Sequence, residues 1–478
     1  MRSTIYVGLA LLVATGAATL PTAPRARATK AARAKKPSPR RDDVGARVAV
    51  GRRAAVASGG AVARPSYLWA LLHNWMYFLS LGLTVPNLPR IIASVVNEDG
   101  TSKVTPRAVR VSGDVEALDK TLTFLGVGFL SALSDVVGRK PLMAWSALGY
   151  GLTCLLQATC PASSVARLFV ADAVDGASSC MSSVCQAFVA DASDDARRAI
   201  NLGTFQGLSI GGAFVVAFPL GGLLGAKLGT RAPVLLAAGV QLLNFLLIAF
   251  VTPESKPASE RAGARLDLRR ANPAGALARL FCAGPVLRGL SAAYFLVTLS
   301  RGVLDAQFPN YALYKFGWGP QESGPLLMLV GVMLAIAPRV VVPRLGLRRA
   351  IVAGALALAL GHALTAVAGT PAAFVGSIFV TAVGCACIPA IVAVLTTQTA
   401  PNEQGALLGG LGSIQELCGA LGNPAYARLF AYFISDAAPV KLPGAHFVFA
   451  SALMIACFAV SRRTFRAHEG EIVLPKFD

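Results

Sequence analysis

The residues with the most chemistry in this sequence are charged groups set inside long apolar runs. Arg167, Asp172 and Asp175 fall in one such run, Arg301 and Asp305 in another, and Glu416, beside Gln415, in a third. A charge at membrane depth costs several kcal/mol unless it is paired or wet, so each is a candidate for function by default. Asp172 and Asp175 are three apart and lie on nearly one face of a helix. Carboxylates that close disfavour each other's charged form, which suits a pair that takes up and releases protons. The alternative is that they neutralise arginines across a helix bundle. Arg301 and Asp305 are four apart and can pair on one face, as a structural tie, an anchor for an anionic group, or a pair that switches partners. His362 stands alone and is read as packed and hydrogen-bonded. His73, Asn74, Gln241 and Asn244 are candidates to line a cavity.

A second constellation is the stretch Leu133-Ser134-Asp135-Val136-Val137-Gly138-Arg139-Lys140-Pro141, between two apolar segments. A connection this short makes the flanking helices antiparallel neighbours. Gly138 permits a tight turn with positive φ, and Pro141 suits the first turn of the next helix. Asp135 ends a helix at its negative dipole end, which is unfavourable alone, so it needs a partner such as the N-terminus of another helix.

The elements that must position these groups are membrane spans. The chain has 478 residues, is 55% hydrophobic and only 14% charged, against roughly 25% charge for a soluble chain. Apolar runs of about 20 residues recur, without the alternation of a barrel. The expected class is an all-α polytopic membrane protein with twelve transmembrane helices in two six-helix halves. The net charge of +20 does not point to nucleic acid, because about half of it precedes Pro65 and much of the rest lies in short loops between spans. The nine cysteines are scattered through apolar runs and are read as small core residues. No constellation of an enzyme, metal site or cofactor stands out.

In order, residues 1–20 form a signal-like apolar segment and 21–65 a basic transit-like or disordered segment. Together they resemble the two-part leader of plastid proteins, which would place the chain in a plastid envelope; plasma membrane or vacuole is the alternative. A first six-helix half is expected over 66–252, a linker over 253–288, a second half over 289–463 and a tail over 464–478. Span 1 is expected over Tyr67–Leu88, followed by a polar connection to Asp119. Span 2 follows from Lys120, with a start that could reach back to Val115, and span 4 is one long helix over Ser163–Ala190. Gly207 and Gly211 in span 5 are read as sites of close helix approach. Arg and Lys concentrate after spans 2, 4, 6 and 8 and in the tail, so both ends of the body should face the cytoplasm or its equivalent. Leu345-Gly346-Leu347-Arg348-Arg349 sits where the Leu133–Pro141 stretch would recur in a second half.

Over roughly Tyr67 to Arg463 the chain resembles the major facilitator superfamily, on the loop Leu133–Pro141 and the six-plus-six plan. Within it the likeness is to tetracycline-efflux-type carriers and their eukaryotic relatives, on Gly82–Pro89, Ala190–Gly203, Phe316-Gly317-Trp318-Gly319 with Gly324, Glu403-Gln404-Gly405 and Pro443-Gly444-Ala445. The resemblance implies a secondary transporter of a small organic molecule working by alternating access in a lipid bilayer, with protons as coupling ion and efflux favoured. It also implies a gate in which Arg139 pairs with an acid at the end of span 4, naturally Asp191, and Asp135 caps a helix of the other half when the inner side is shut. Three positions depart from the family pattern: Ser131 where Gly is usual, Tyr77 where efflux carriers have an acid, and Phe218-Pro219-Leu220-Gly221-Gly222 in place of Gly-Pro-x-x-Gly-Gly. Tetracycline export is therefore not implied. A non-transporting sensor or assembly factor on a carrier fold is the alternative.

Overall fold

The computed structural model describes residues 65–262, 266, 272–282, 284–400, 403–472 and 474. Both leader segments lie outside the described residues, as do the linker residues Arg265, Arg269 and Arg270. Among the described residues there is helix and connecting turn but no strand.

The first half comprises α1 (Leu68–Thr84), α2 (Leu88–Val96), α3 (Pro106–Val137), α4 (Arg139–Ala158), α5 (Val165–Ser178), α6 (Met181–Ala192), α7 (Asp195–Gln206), α8 (Ala213–Leu228) and α9 (Arg231–Phe250). The linker carries α10 (Ala258–Ala262) and α11 (Pro273–Cys282). The second half comprises α12 (Pro285–Phe316), α13 (Pro320–Leu345), α14 (Leu347–Val367), α15 (Pro371–Gly384), α16 (Cys387–Thr397), α17 (Gln404–Ile434) and α18 (Ala445–Ala467). By length and composition, seven segments can cross a membrane among the described residues, and the pair α1–α2, bent by 52°, makes an eighth. The rods α4, α5–α6, α12 and α17 supply four further helical segments of the bundle. With them the count is consistent with the twelve expected, six to each half.

Several boundaries differ from expectation, each for a physical reason. Span 1 breaks after Thr84, where the Asn87 side chain donates to the carbonyls of Leu83 and Gly221, both at 3.0 Å. Pro89 then opens α2. The polar connection shrinks to residues 97–105, because α3 starts at Pro106 with Thr105 Oγ1 accepting from Ala108 N at 3.2 Å. The charged early turns of α3 are helical because their charges find partners: Asp114 meets Arg428 at 2.9 Å, and Asp119 meets Lys120 at 2.9 Å. Span 4 is not continuous; it breaks at Ser179-Cys180, where Cys180 N donates to Ser146 Oγ. Gly207–Gly212 winds as a π turn between α7 and α8. A Cβ at Gly207 or Gly211 would meet nothing within 4 Å, so these glycines do not serve close helix approach. Of the cysteines, eight are buried, but Cys282 on α11 is exposed.

The halves meet along two seams, α3 against α17 and α8 against α13. Both are tightest toward the end of the bundle away from Gly138. A Cβ at Gly113 would collide with Ala427 and the Asn423 carbonyl, one at Gly222 with the Pro320 carbonyl, and one at Gly324 with the Phe218 carbonyl. Backbones approach this closely only where small residues face each other.

Candidate functional site

At the turn between α3 and α4, Gly138 has φ +110°, a conformation that side chains resist. A Cβ there would also strike the Glu254 carboxylate. Glu254 explains the fit: its Oε1 accepts from Arg139 N at 2.9 Å and its Oε2 from Lys140 N at 3.1 Å, closing the positive end of α4. Arg139 is only 5% exposed. It reaches Asp135 Oδ1 at 2.8 Å, Asp191 Oδ2 at 2.9 Å and Ser134 Oγ at 2.6 Å. Lys256 Nζ adds a second cation to Asp135 at 2.9 Å, and Ser255 Oγ donates to Asp191 at 3.1 Å. Thus Arg139 and Asp191 are paired, but Asp135 does not cap a helix of the other half. Its partners are Arg139 and Lys256, because the halves are drawn together at the far end. Glu254, Ser255 and Lys256 were missed in sequence; three polar residues after span 6 look like any linker start.

The second assembly lies in mid-bundle. Asp172 is 9% exposed and accepts from Gln157 Nε2 at 3.1 Å. Asp175 Oδ1 is buried with no hydrogen-bond partner among the described residues, and so is Glu416 Oε2. Between them stands Lys120 on α3, tied to Asp119 at 2.9 Å. Its aliphatic stem lies on Gly419 of α17, so the side chain sits in the seam between the halves. Asp119, Glu116 and Glu416 are near enough to act on the charge of Lys120, and Asp175 feels all four. Gly176 lets α5 settle against the Asp119 carbonyl, which brings the α5 aspartates to α3. Five carboxylates and one lysine thus form one electrostatic group, with Asp119 in contact with Lys120 and the others acting at longer range. Asp172, Asp175 and Glu416 are sequence candidates; Glu116, Asp119 and Lys120 are not. The signal for them was present: Glu116, Asp119 and Lys120 are three and four apart, the spacing of one helix face.

The other candidates lie elsewhere. Arg167 donates to Thr159 Oγ1 in the α4–α5 connection, one helix end away from the aspartates. Its Nε is buried with no hydrogen-bond partner among the described residues, so the contact at the loop satisfies the side chain only in part. Arg301 and Asp305 pair at 3.2 Å on α12, and Asp305 borders a cavity of about 50 Å³ with Thr381 and Cys385. Asp305 also acts on Glu116 across the seam. His73, Gln241 and Asn244 are fully buried. His73 is fully buried and bonds Asn244 Oδ1 and Thr252 Oγ1, both at 2.7 Å, which ties α1 to α9. Asn74 is likewise buried, donating to Ser209 of the π turn at 2.8 Å. His362 is buried as expected, but its ring nitrogens have no hydrogen-bond partner among the described residues. It stands against Phe447.

Residues 121–345 match the family model of the Major Facilitator Superfamily. The chain is 29% identical over 390 residues to the tetracycline resistance protein, class C, of Escherichia coli, covering 80% of this chain and 93% of that protein. It is 25% identical over 427 residues to hippocampus abundant transcript-like protein 1 of Homo sapiens, covering 83% and 80%. Among solved structures it superimposes on the human organic anion transporter MFSD10 (TETRAN) with TM-score 0.60 and 20% identity, over 83% of this chain and 98% of that one. A bacterial homolog of the human lysosomal transporter Spinster gives TM-score 0.67 at 14% identity, over 86% and 98%. The resemblance to the major facilitator superfamily is borne out, with tetracycline resistance proteins among the relatives. The chain is a multi-pass integral membrane protein with that superfamily's fold.

Proposed function

We propose that the chain is a secondary active carrier that moves a small organic molecule by alternating access, coupled to protons, with export in exchange for protons favoured over uptake. The observation that carries this reading is the placement of Lys120. It sits on one half, among Glu116, Asp119, Asp172 and Asp175, with its stem in the seam and Glu416 of the other half within electrostatic reach. Rocking the halves apart along α3 and α17 removes Glu416 from Lys120 and changes the charge balance of the cluster. Unbalanced carboxylates in a low-dielectric site bind protons, so each conformation holds a different number of them. That difference is what links a proton gradient to movement. The surplus of carboxylates favours a neutral or cationic substrate over an anionic one. The residues proposed for the path are Asp172, Asp175, Glu416, Glu116, Asp119 and Lys120, with Arg301 and Asp305 at its edge; the network of Asp135, Gly138, Arg139 and Asp191 is proposed as the gate. Arg167 has no role in this reading.

The test uses full-length chain in liposomes with an imposed pH gradient and a panel of amphipathic drugs and metabolites. Gradient-dependent flux should appear for at least one compound and be lost in Asp175→Asn, while gradient-independent exchange of the same compound persists. Flux that survives Asp175→Asn and Asp172→Asn unchanged removes the coupling assignment. A folded chain that moves no compound under any gradient favours the sensor or assembly reading.

A further inference from the structure

A second binding feature lies far from the seam, at the end of the second half that carries Gly346. An open groove of 1140 Å³ is lined by the α13–α14 turn and the last turns of α18. That volume exceeds the roughly 300–1,000 Å³ of a drug-sized pocket. One rim is basic: Arg348 and Arg349 open α14, and Arg462 and Arg466 stand one turn apart on α18. Arg348 is held by Glu469 and lies over the Phe465 ring at 5.8 Å; Arg462 lies over Phe458 at 5.9 Å. Arg349, Arg462 and Arg466 form no direct ion pair among the described residues, although Glu469, bound to Arg348, also lies within electrostatic reach of Arg466. The nearby Glu471 is turned to His468 at 3.0 Å. The positive end of α14, which has no side-chain cap, faces the same rim.

The other wall is apolar and leads outward. Leu356 is 45% exposed, and Leu360, Leu364 and Val367 continue the same exposed face up α14. A stripe of large apolar residues at helical spacing on a membrane span faces acyl chains. Arginines at the end of such a stripe reach the level of the lipid headgroups. They also stand on the arginine-rich side of the body, the side where anionic lipids gather.

We infer that this groove binds one anionic phospholipid, its phosphate held by Arg349, Arg462, Arg466 and the start of α14, and one acyl chain laid along Leu356 and Leu360. A soluble phosphate would use the rim and leave the wall idle, and a second basic segment of this chain would be repelled. The inference stands apart from what the carrier moves.

The test is titration of the purified full-length chain with phosphatidylglycerol, read by native mass spectrometry, with phosphatidylcholine as competitor. One phosphatidylglycerol per chain should bind in preference to phosphatidylcholine. Arg462→Gln/Arg466→Gln should weaken it roughly thirtyfold, since each basic residue at an anionic surface contributes about fivefold. Arg107→Gln, at the opposite end beside Glu98, should leave it unchanged. Each variant's unfolding temperature without lipid checks its fold, and Arg349→Gln alone, at an exposed position, gives the same direction with a smaller loss. Equal binding of phosphatidylcholine, undiminished binding by the double variant, or displacement by millimolar glycerol phosphate would each overturn the assignment, the last in favour of a soluble phosphate.

Discussion

Gly138 and Gly346 make the same turn in the two halves, with φ of +110° and +73°, each ending one long helix and starting the next. The helices that start there differ by one position in where their arginines begin. Arg139 comes directly after Gly138, whereas Leu347 comes directly after Gly346 and the arginines start at 348. One residue is a rotation of about 100° around a helix. Arg139 therefore points inward to Asp135 and Asp191, while in the second half Leu347, 3% exposed, fills the inward place and Arg348 and Arg349 turn out. The acid after each half follows suit. Glu254 caps the backbone of α4, but Glu469 pairs with the side chain of Arg348. One backbone turn thus serves as a buried lock in one half and as a basic rim in the other, and the register of a single arginine decides which.

The hardest blow to this contrast is Arg139→Leu, which writes the second turn into the first. It leaves Asp135 to Lys256 and Asp191 to Ser255 at a partly exposed corner and should cost about 1–3 kcal/mol, read as a fall in unfolding temperature in detergent. Arg348→Leu should leave that temperature unchanged; equal losses would mean the corners are equivalent after all. Next come the glycines. Gly138→Ala and Gly346→Ala should each pay about 1–2 kcal/mol of backbone strain, with a further loss only at 138, where Glu254 must give way. Glu254→Gln should then cost about 1 kcal/mol as a lost helix cap, while Glu469→Gln should be silent in the same melt. The smallest effect belongs to Arg462→Gln/Arg466→Gln, which should not shift unfolding at all in lipid-free detergent.

Part of the lock was legible in sequence: Asp135, Gly138 and Arg139 lie within one loop, and the family resemblance supplied Asp191 as the partner of Arg139, whereas Glu254, Ser255 and Lys256 arrive from after span 6 and were not legible. The fold was legible for the same reason as any membrane bundle, since apolar length is local. What escaped depends on neighbours far along the chain. Glu116, Asp119 and Lys120 lie within five residues and straddled the expected border between the polar connection and span 2. Only α5 and α17, arriving from opposite directions, make that stretch an interior helix. Arg167, a pathway candidate because it stands in an apolar run, reaches instead to Thr159 in the loop at the start of its helix, a contact that its own run of sequence does not announce. Gly207 and Gly211 failed because a glycine pair serves either a close crossing or a change of winding, and the residues alone do not choose.

The two seams between the halves are built from unlike materials. Along α8 and α13 the contact is glycine on carbonyl, Gly222 at Pro320 and Gly324 at Phe218, with no rotamers to freeze when it shuts. Along α3 and α17 closure must also order Arg428 on Asp114 and the stem of Lys120 on Gly419. Salt screens the second kind of contact and leaves the first untouched. Raising ionic strength should therefore loosen one edge of the bundle before the other, turning a symmetric rocking into a skewed one, a zip fastener opened from a single side.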